Sequence, residues 1–362
     1  MLRKLFAWTN RYERHLSAAA MLAGFAWDNI FFGRIDVFRT QVVFLAYTVI
    51  CLVTIPLLHA IEVRGERTGR RPSWRGVVPI VTQFALGGFW SGFVIFYGRS
   101  AVLSASWPFL LVLLAILLGN EVFKKYHERL VFTSILFFFA LYSYAIFALP
   151  IYTGTMGAET FLESGLLAVG AFALFVLLLA LIGRKRFRAD FRRITLGTAA
   201  VLVVLNLSYF TNILPPLPLS AKAAGIYHAV WHVSDGYMAT NEAEPWAVRY
   251  LGFTPTMHVV SGDSLYAYAA VFAPTKLSTT IIHQWQWYDP ATSAWVTKAA
   301  VSYPIQGGRD GGYRGYSAVL MTEAGRWRVN IETAGGLIIA RLPFTVDLVQ
   351  LPPVETTGLL EK

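Results

Sequence analysis

The apolar positions divide the chain into two halves with different periods. From residue 17 to 213 they come in long runs separated by short polar segments; from 214 onwards they come in short runs, several of them alternating with polar residues. A membrane span needs about 20 predominantly apolar residues. The pattern predicts seven such spans, roughly 17–36, 40–61, 77–98, 101–123, 130–152, 165–183 and 194–213. Stretches such as LVFTSILFFFALYSYAIFALPIY and LLAVGAFALFVLLLALIG carry no charge at all. Asp28, Asn29 and Arg34 interrupt the first segment, whose SAAAMLAGFA core also looks like that of a signal peptide. A second apolar segment follows at once, so the first is read as a retained helix.

LPPLPLS (214–220) ends the last span, because proline cannot continue a helix. Beyond it the pattern predicts strands near 226–234, 256–261, 265–273, 279–288, 294–303, 313–321, 326–333 and 336–346, broken by Gly, Pro, Asp and Asn. In WRVNIET, Trp327, Val329 and Ile331 share one face and Arg328, Asn330 and Glu332 the other. Residues 236–250 read as a loop. Several short strands with no long amphipathic helix predict an all-β, immunoglobulin-like sandwich. The expected organisation is a transmembrane helical bundle over 1–213, a linker over 214–225, an extracytoplasmic β-sandwich over 226–350 and a flexible tail over 351–362.

Composition agrees with the first half of this picture. The 362 residues are 56% hydrophobic and 14% charged, against roughly 25% charged in soluble domains. The net charge of +10 sits entirely in the apolar half: residues 1–213 hold 21 Lys and Arg against 10 Asp and Glu, and residues 214–362 hold 10 against 11. Membrane topology explains such a distribution, and no nucleic-acid partner is expected. Eighteen positive residues fall on one side of the spans: Arg3, Lys4, Arg11 and Arg14; Arg64, Arg67, Arg70, Arg71 and Arg75; Lys124, Lys125 and Arg129; and Arg184, Lys185, Arg186, Arg188, Arg192 and Arg193. The other side holds Arg34, Arg39 and Arg99, with Glu159 and Glu163. The positive-inside rule then predicts a multi-pass protein of a bacterial cytoplasmic (inner) membrane with a cytoplasmic N-terminus and a periplasmic C-terminal domain. If residues 17–36 do not cross, only the N-terminus changes side.

HQWQWYDP (283–290), GGRDGGYRGYS (307–317), GRWRV (325–329) and LPFTV (342–346) occur in an order that resembles the domain of unknown function 2914 family. The resemblance covers roughly 260–347. It implies a bacterial membrane protein with an exposed β-rich module, and it brings no reaction, ligand or catalytic residue.

Candidate chemistry is sparse. The single cysteine, Cys51, lies in an apolar run, which excludes a disulfide framework and a thiolate metal cluster. His228 and His232 share a face, with His258 or His283 as a conceivable third ligand, but Ala229 stands where a zincin needs glutamate; neither a metal nor a cofactor is expected. No G-x-S-x-G accompanies Ser261, Ser264 or Ser317, and the spacing of Asp263, Asp289 and Asp310 marks no carboxylate pair. No enzyme is expected. The loop at 307–317 has no Lys and no following helix, so neither a Walker nor a dinucleotide reading holds.

Six of the eleven tryptophans lie beyond residue 213. Trp285 and Trp287 are candidates for a ligand platform, the alternative being that they fill the core. Arg309, Asp310, Arg314 and Tyr316 are candidates for an anion or glycan contact, the alternative being that they brace the loop. In the spans, Asp28, Arg34, His59 and Glu121 are candidates for a polar pathway, the alternative being interfacial pairing. The function expected is display of a periplasmic β-sandwich that binds an envelope component, whether glycan, lipid headgroup or partner protein. The alternative is a transporter or lipid-handling protein with the β domain as accessory.

Overall fold

The computed structural model describes residues 25–26, 28–30, 32–33, 38–70, 72, 75, 77–100, 103–122, 129–234, 236–242, 254–309 and 311–360. They divide into a helical unit drawn from 1–98, 107–149 and 158–214 and a β-rich unit drawn from 99–106, 150–157 and 215–362.

Among the described residues five long helices carry the first unit: α1 Phe38–Thr68, α2 Val77–Ser100, α3 Leu103–Val122, α4 Leu130–Thr153 and α5 Ala158–Phe210. Within α5, Gly183 has φ −151° and ψ 66°. Phe161 stacks on Tyr209 with ring centroids 3.8 Å apart. A straight helix from 161 to 209 would run about 70 Å, so α5 doubles back at Gly183. Its arms, Ala158–Arg184 and Phe187–Phe210, are each long and apolar enough to cross a membrane, as are α1, α2 and α4. The shorter apolar part of α3 is Ser106–Gly119. The span expected at 17–36 lies mostly outside the described residues.

The polar connection expected around Arg184–Arg193 is helical instead; the reversal uses Gly183 alone. The packing gives the reason. A Cβ at 183 would lie 2.5 Å from Val63 Cγ2 and 2.8 Å from His59 Nε2 of α1, so only glycine lets α1 approach the bend. Small residues also bring α1 to α2: a Cβ at Gly92 would sit 2.5 Å from Phe44 Cζ. The Phe44 ring is centred 5.5 Å from Phe32, 5.6 Å from Phe93 and 5.2 Å from Phe147. Leu166, Leu174 and Leu181 of α5 stand exposed.

Among the described residues the β-rich unit holds eleven strands: β1 Ser220–Tyr227, β2 Ala229–Val233, β3 Gly236–Glu242, β4 Thr256–Val260, β5 Ser264–Phe272, β6 Ser278–Asp289, β7 Ala294–Gln306, β8 Tyr313–Leu320, β9 Gly325–Thr333, β10 Ile338–Val349 and β11 Glu355–Leu360. They form three sheets, ordered β1-β5-β8, β4-β10-β9-β6-β7 and β11-β3-β2. All the pairings are antiparallel except β4 with β10.

The central strand of the first sheet, β5, is buried on both sides. Leu265, Ala267, Ala269 and Val271 of β5 pack with the inward residues of the five-stranded sheet, among them Ile281, Trp285, Trp327, Val329 and Phe344. Tyr268 and Ala270, on the other side of β5, pack with Val230 of β2 and Ala239 of β3. The unit is therefore three layers deep. Small alanines on β5 suit this position, since two neighbouring layers must both come close.

Three expectations are corrected here. The proposed linker 214–225 contains most of β1, and Leu214, Leu217 and Leu219 are buried. The proposed loop 236–250 begins with β3, and residues 243–250 lie outside the described set. The proposed flexible tail 351–362 holds β11, which pairs with β3 from Glu355↔Glu242 to Leu360↔Tyr237. All three stretches are rich in Ala, Gly, Thr and Ser, so their apolar alternation is weak although their backbone pairing is regular.

Candidate functional site

The five-stranded sheet has one face in the core and one half-exposed. Alternation along β6 sends His283 and Trp285 inward and Gln284, Gln286 and Tyr288 outward. Along β9 it sends Trp327, Val329 and Ile331 inward and Arg326, Arg328 and Asn330 outward. Register aligns the two: Arg328 faces Gln286 and Asn330 faces Gln284, while Arg341 of β10 faces Asn330.

The outward residues interlock. Arg328 Nε donates to Gln286 Oε1 at 2.7 Å and Arg341 Nε donates to Asn330 Oδ1 at 2.8 Å. Asn330 Nδ2 donates to Gln284 Oε1 and to Gln286 Oε1, each at 3.3 Å. Aromatic rings carry two of the guanidiniums: Arg326 lies 3.8 Å from the Tyr288 ring centroid and Arg328 4.1 Å from that of Trp295. Tyr288 and Trp295 meet edge to face at 5.3 Å. Partial burial pulls the Arg328 guanidinium below its ordinary pKa, and the charge of Arg341 adds to this. Arg341 is lowered by burial, offset in part by Glu332; Glu332 is raised by burial, offset in part by Arg341.

A second polar cluster ties strand ends together. Glu242 Oε1 lies 2.8 Å from His228 Nε2, Glu242 Oε2 lies 2.6 Å from His258 Nδ1, and the His258 amide donates to Glu242 Oε1 at 2.7 Å. Burial tends to raise the Glu242 carboxyl, but its bonds to the two histidines outweigh this and hold it below the ordinary range. Both imidazoles bond to the carboxylate rather than converge on an open point. Among the described residues no group of three His, Cys, Asp or Glu is arranged to hold a metal ion. His232 packs edge-on against Tyr237.

A third cluster lies inside the core. Trp285 Nε1 donates to Ser317 Oγ at 2.9 Å, Ser317 Oγ lies 3.0 Å from His283 Nδ1, and Tyr303 Oη lies 2.9 Å from His283 Nε2. Both ring nitrogens of His283 are therefore hydrogen-bonded, one to each hydroxyl. His283 and Ser317 are buried, and burial pushes His283 down to about 4. The unfolded imidazole titrates near 6.5. The contribution of this group is thus complete above about pH 6.5. It declines by up to about 1.4 kcal/mol per unit as the pH falls towards 4, because only the unfolded chain takes up the proton, and reaches about 3 kcal/mol in all. Unfolding of the β-rich unit in the full-length protein, followed from pH 7 to 4, is expected to steepen in this window, and His283→Gln is expected to flatten it.

The residues singled out in the sequence do not converge. Trp285 is fully buried, in edge contact with Phe344. Trp287 is partly buried, donates from Nε1 to Ala324 O at 3.0 Å and lies under Lys298. Arg309 stacks on Tyr313, 5.0 Å from the ring centroid. Arg314 and Tyr316 lie on the opposite side of β8 from Ser317, where Tyr316 is exposed and neighbours Tyr237 and Tyr266. Asp310 lies outside the described residues. In the glycine-rich loop the Gly307 amide donates to Leu277 O at 2.9 Å, that of Gly308 to Ala273 O at 3.1 Å and that of Gly312 to Arg309 O at 3.0 Å, so these groups serve the domain's own backbone. In the helical unit His59 is buried beside Gly183, and Asp28 is helical. Arg34 and the Glu121 side chain lie outside the described set.

Sequence reasoning missed the outward residues Arg326, Arg328 and Arg341. Alternation in GRWRV and HQWQWYD already puts arginines and glutamines on the face opposite the tryptophans; what it lacks is the register that sets them side by side.

Residues 278–346 match the model of a family described as "Protein of unknown function (DUF2914)". The match begins and ends within β6 and β10, and so contains the whole outward network. Among curated proteins none matches the chain. Two solved structures are similar in part. A β-glucosidase from Listeria innocua in complex with gluconolactone is 13% identical with a TM-score of 0.20, over 30% of this chain and 16% of that one. The Pseudomonas fluorescens alkylpurine DNA glycosylase AlkC, bound to DNA containing an abasic site analog, is 9% identical with a TM-score of 0.22, over 86% of this chain and 99% of that one. At such scores neither likeness carries an argument.

Proposed function

We propose that this chain, whose residues 278–346 match a family of unknown function, is a multi-pass protein of a bacterial cytoplasmic membrane that holds its β-rich unit on the periplasmic side to bind a polysaccharide of the envelope. The observation that carries this reading is the outward face of β6, β7, β9 and β10. Three guanidiniums, two aromatic rings and three amide side chains there are locked to one another on a rigid sheet. A pre-organised, half-exposed polar face costs little ordering entropy when a hydroxyl-rich ligand binds. Nothing in the core below requires it, since the inward face is already filled.

Three observations support the sidedness. The segments 99–106 and 150–157, which follow α2 and α4, belong to the same unit as residues 215–362. The basic groups around Arg64–Arg75 and Lys124–Arg129 fall in the alternate connections. The doubling back of α5 supports the same parity, because its two ends emerge together. The alternative of transport or lipid handling draws on Asp28 and His59 alone among the described residues.

Labelled envelope polysaccharides, neutral and acidic, are expected to bind spheroplasts containing the protein and not inverted membrane vesicles. If no polysaccharide binds either preparation the binding role is wrong, and binding to inverted vesicles alone would reverse the orientation.

A further inference from the structure

Resting on that reading, we propose that Arg328 and Arg341 form an anion-recognition pair that selects a carboxylate-bearing polysaccharide over a neutral one. Each guanidinium is anchored through Nε alone, Arg328 to Gln286 and Arg341 to Asn330. Among the described residues their Nη groups meet no hydrogen-bond acceptor, and neither arginine has an ion-pair partner within 4.0 Å. Arg328 and Arg341 stand on adjacent strands, and each is half-buried.

Two neighbouring, half-buried cations without a paired carboxylate are unfavourable in isolation. Glu332 is near enough to Arg341 for each to shift the other's titration, but it forms no ion pair. An incoming carboxylate would relieve this repulsion and accept from the open Nη forks, which suit planar bidentate acceptors. The Nε anchors and the Trp295 ring hold the Arg328 fork in place beforehand. Arg326, two residues along β9, lies roughly 7 Å further on, so an extended polyanion laid along β9 meets successive cations.

The surroundings favour a glycan as the carrier of the charge. Gln284, Gln286 and Thr297 place amide and hydroxyl groups beside the arginines, which serve sugar hydroxyls. An acidic peptide in extended form would add to a sheet edge, whereas these charges stand on the face. A phosphate headgroup would leave the amides without a role.

The test uses the full chain in nanodiscs. The probes are oligogalacturonate, its methyl ester as the neutral counterpart, oligoglutamate and glycerol phosphate. Oligogalacturonate is expected to bind at least about 10-fold more tightly than its ester, with affinity falling as salt rises. Arg328→Gln and Arg341→Gln are each expected to weaken it about 10-fold or more, and to weaken any binding of the ester by a smaller factor. Arg328→Lys and Arg341→Lys, which keep the charge and lose the fork, are expected to recover only part of the affinity, and they keep the test open if a Gln variant does not fold. Equal binding of acid and ester, or binding indifferent to all four variants, overturns the proposal while leaving a polysaccharide-binding role intact. Oligoglutamate or glycerol phosphate bound as tightly as oligogalacturonate overturns the assignment to a glycan. No binding of either saccharide probe overturns this proposal, and the broader reading then falls only if the envelope polysaccharide panel fails too.

Discussion

Trp285→Ala is expected to destabilise the β-rich unit by about 4 kcal/mol, in the middle of the range for truncating a buried aromatic. The side chain is fully buried between the five-stranded sheet and the β1-β5-β8 sheet and touches Phe344 edge-on. The indole also donates to Ser317 Oγ, so its removal leaves a cavity and takes one bond from the buried His283–Ser317–Tyr303 chain. Trp285→Phe keeps much of the volume and loses only the donor, so about half the effect is expected. Tyr316→Ala, at an exposed position in the same unit, should change stability by under about 1 kcal/mol. Denaturant unfolding of the full-length protein, with hydrogen exchange along β6 and β9 as the local readout, separates the three. A Trp285→Ala protein of unchanged stability would mean that the indole is not core.

Gly307→Ala is expected to cost about 3 kcal/mol or more, as overpacking against backbone does. A Cβ at 307 would lie 1.7 Å from Pro274 O and 2.8 Å from Ala273 O. These are main-chain atoms and cannot rotate away. The Gly307 and Gly308 amides donate to the same segment, at Leu277 O and Ala273 O, so displacing it breaks two bonds that join the end of β7 to the β5–β6 connection. Gly335→Ala makes the contrast. Its added Cβ would meet only Thr333 Oγ1, at 3.8 Å, and its backbone lies outside the left-handed region, so the change should be neutral or slightly stabilising. Faster hydrogen exchange at 273–278 in the Gly307 variant, and none in the Gly335 variant, is the expected signature.

Much of the architecture was readable from apolar spacing. Long runs became α1, α2, α4 and the two arms of α5, and the alternation in WRVNIET sorted Trp327 and Val329 inward as the structure has them. The strands that escaped notice, β1, β3 and β11, are SAKAAGIY, GYMATNE and ETTGLL. Small and polar side chains leave no period there, and tertiary pairing rather than propensity decides their state. The reversal of α5 escaped for a related reason: Gly183 precedes a basic run that reads as a loop, whereas the run remains helical on the far side of a single bent residue.

The outward face was half legible. Which residues point away from the core follows from alternation. That Arg328 lies against Gln286 and Arg341 against Asn330 depends on pairing between β6, β9 and β10, with a bulge between Ile338 and Ala340 shifting the count. The glycine-rich stretch had drawn attention as a ligand loop because glycine and arginine together suit anions; its amides are occupied by the neighbouring connection, and it is the flat sheet face that keeps guanidinium groups open.

The pairing of β11 with β3 bears on the order in which the unit assembles. The two strands are separated by more than a hundred residues, with β4 to β10 in between. Such non-local pairing is slow to form. The double-layered core around Trp285 needs nothing beyond β10, whereas the β2–β3 hairpin keeps an open strand edge until residues 355–360 arrive. An exposed edge is a template for pairing with other chains. During assembly of the unit β11 therefore acts as a closing seal: a chain that has lost it would keep the core around Trp285 and still be the species most prone to stick to its neighbours.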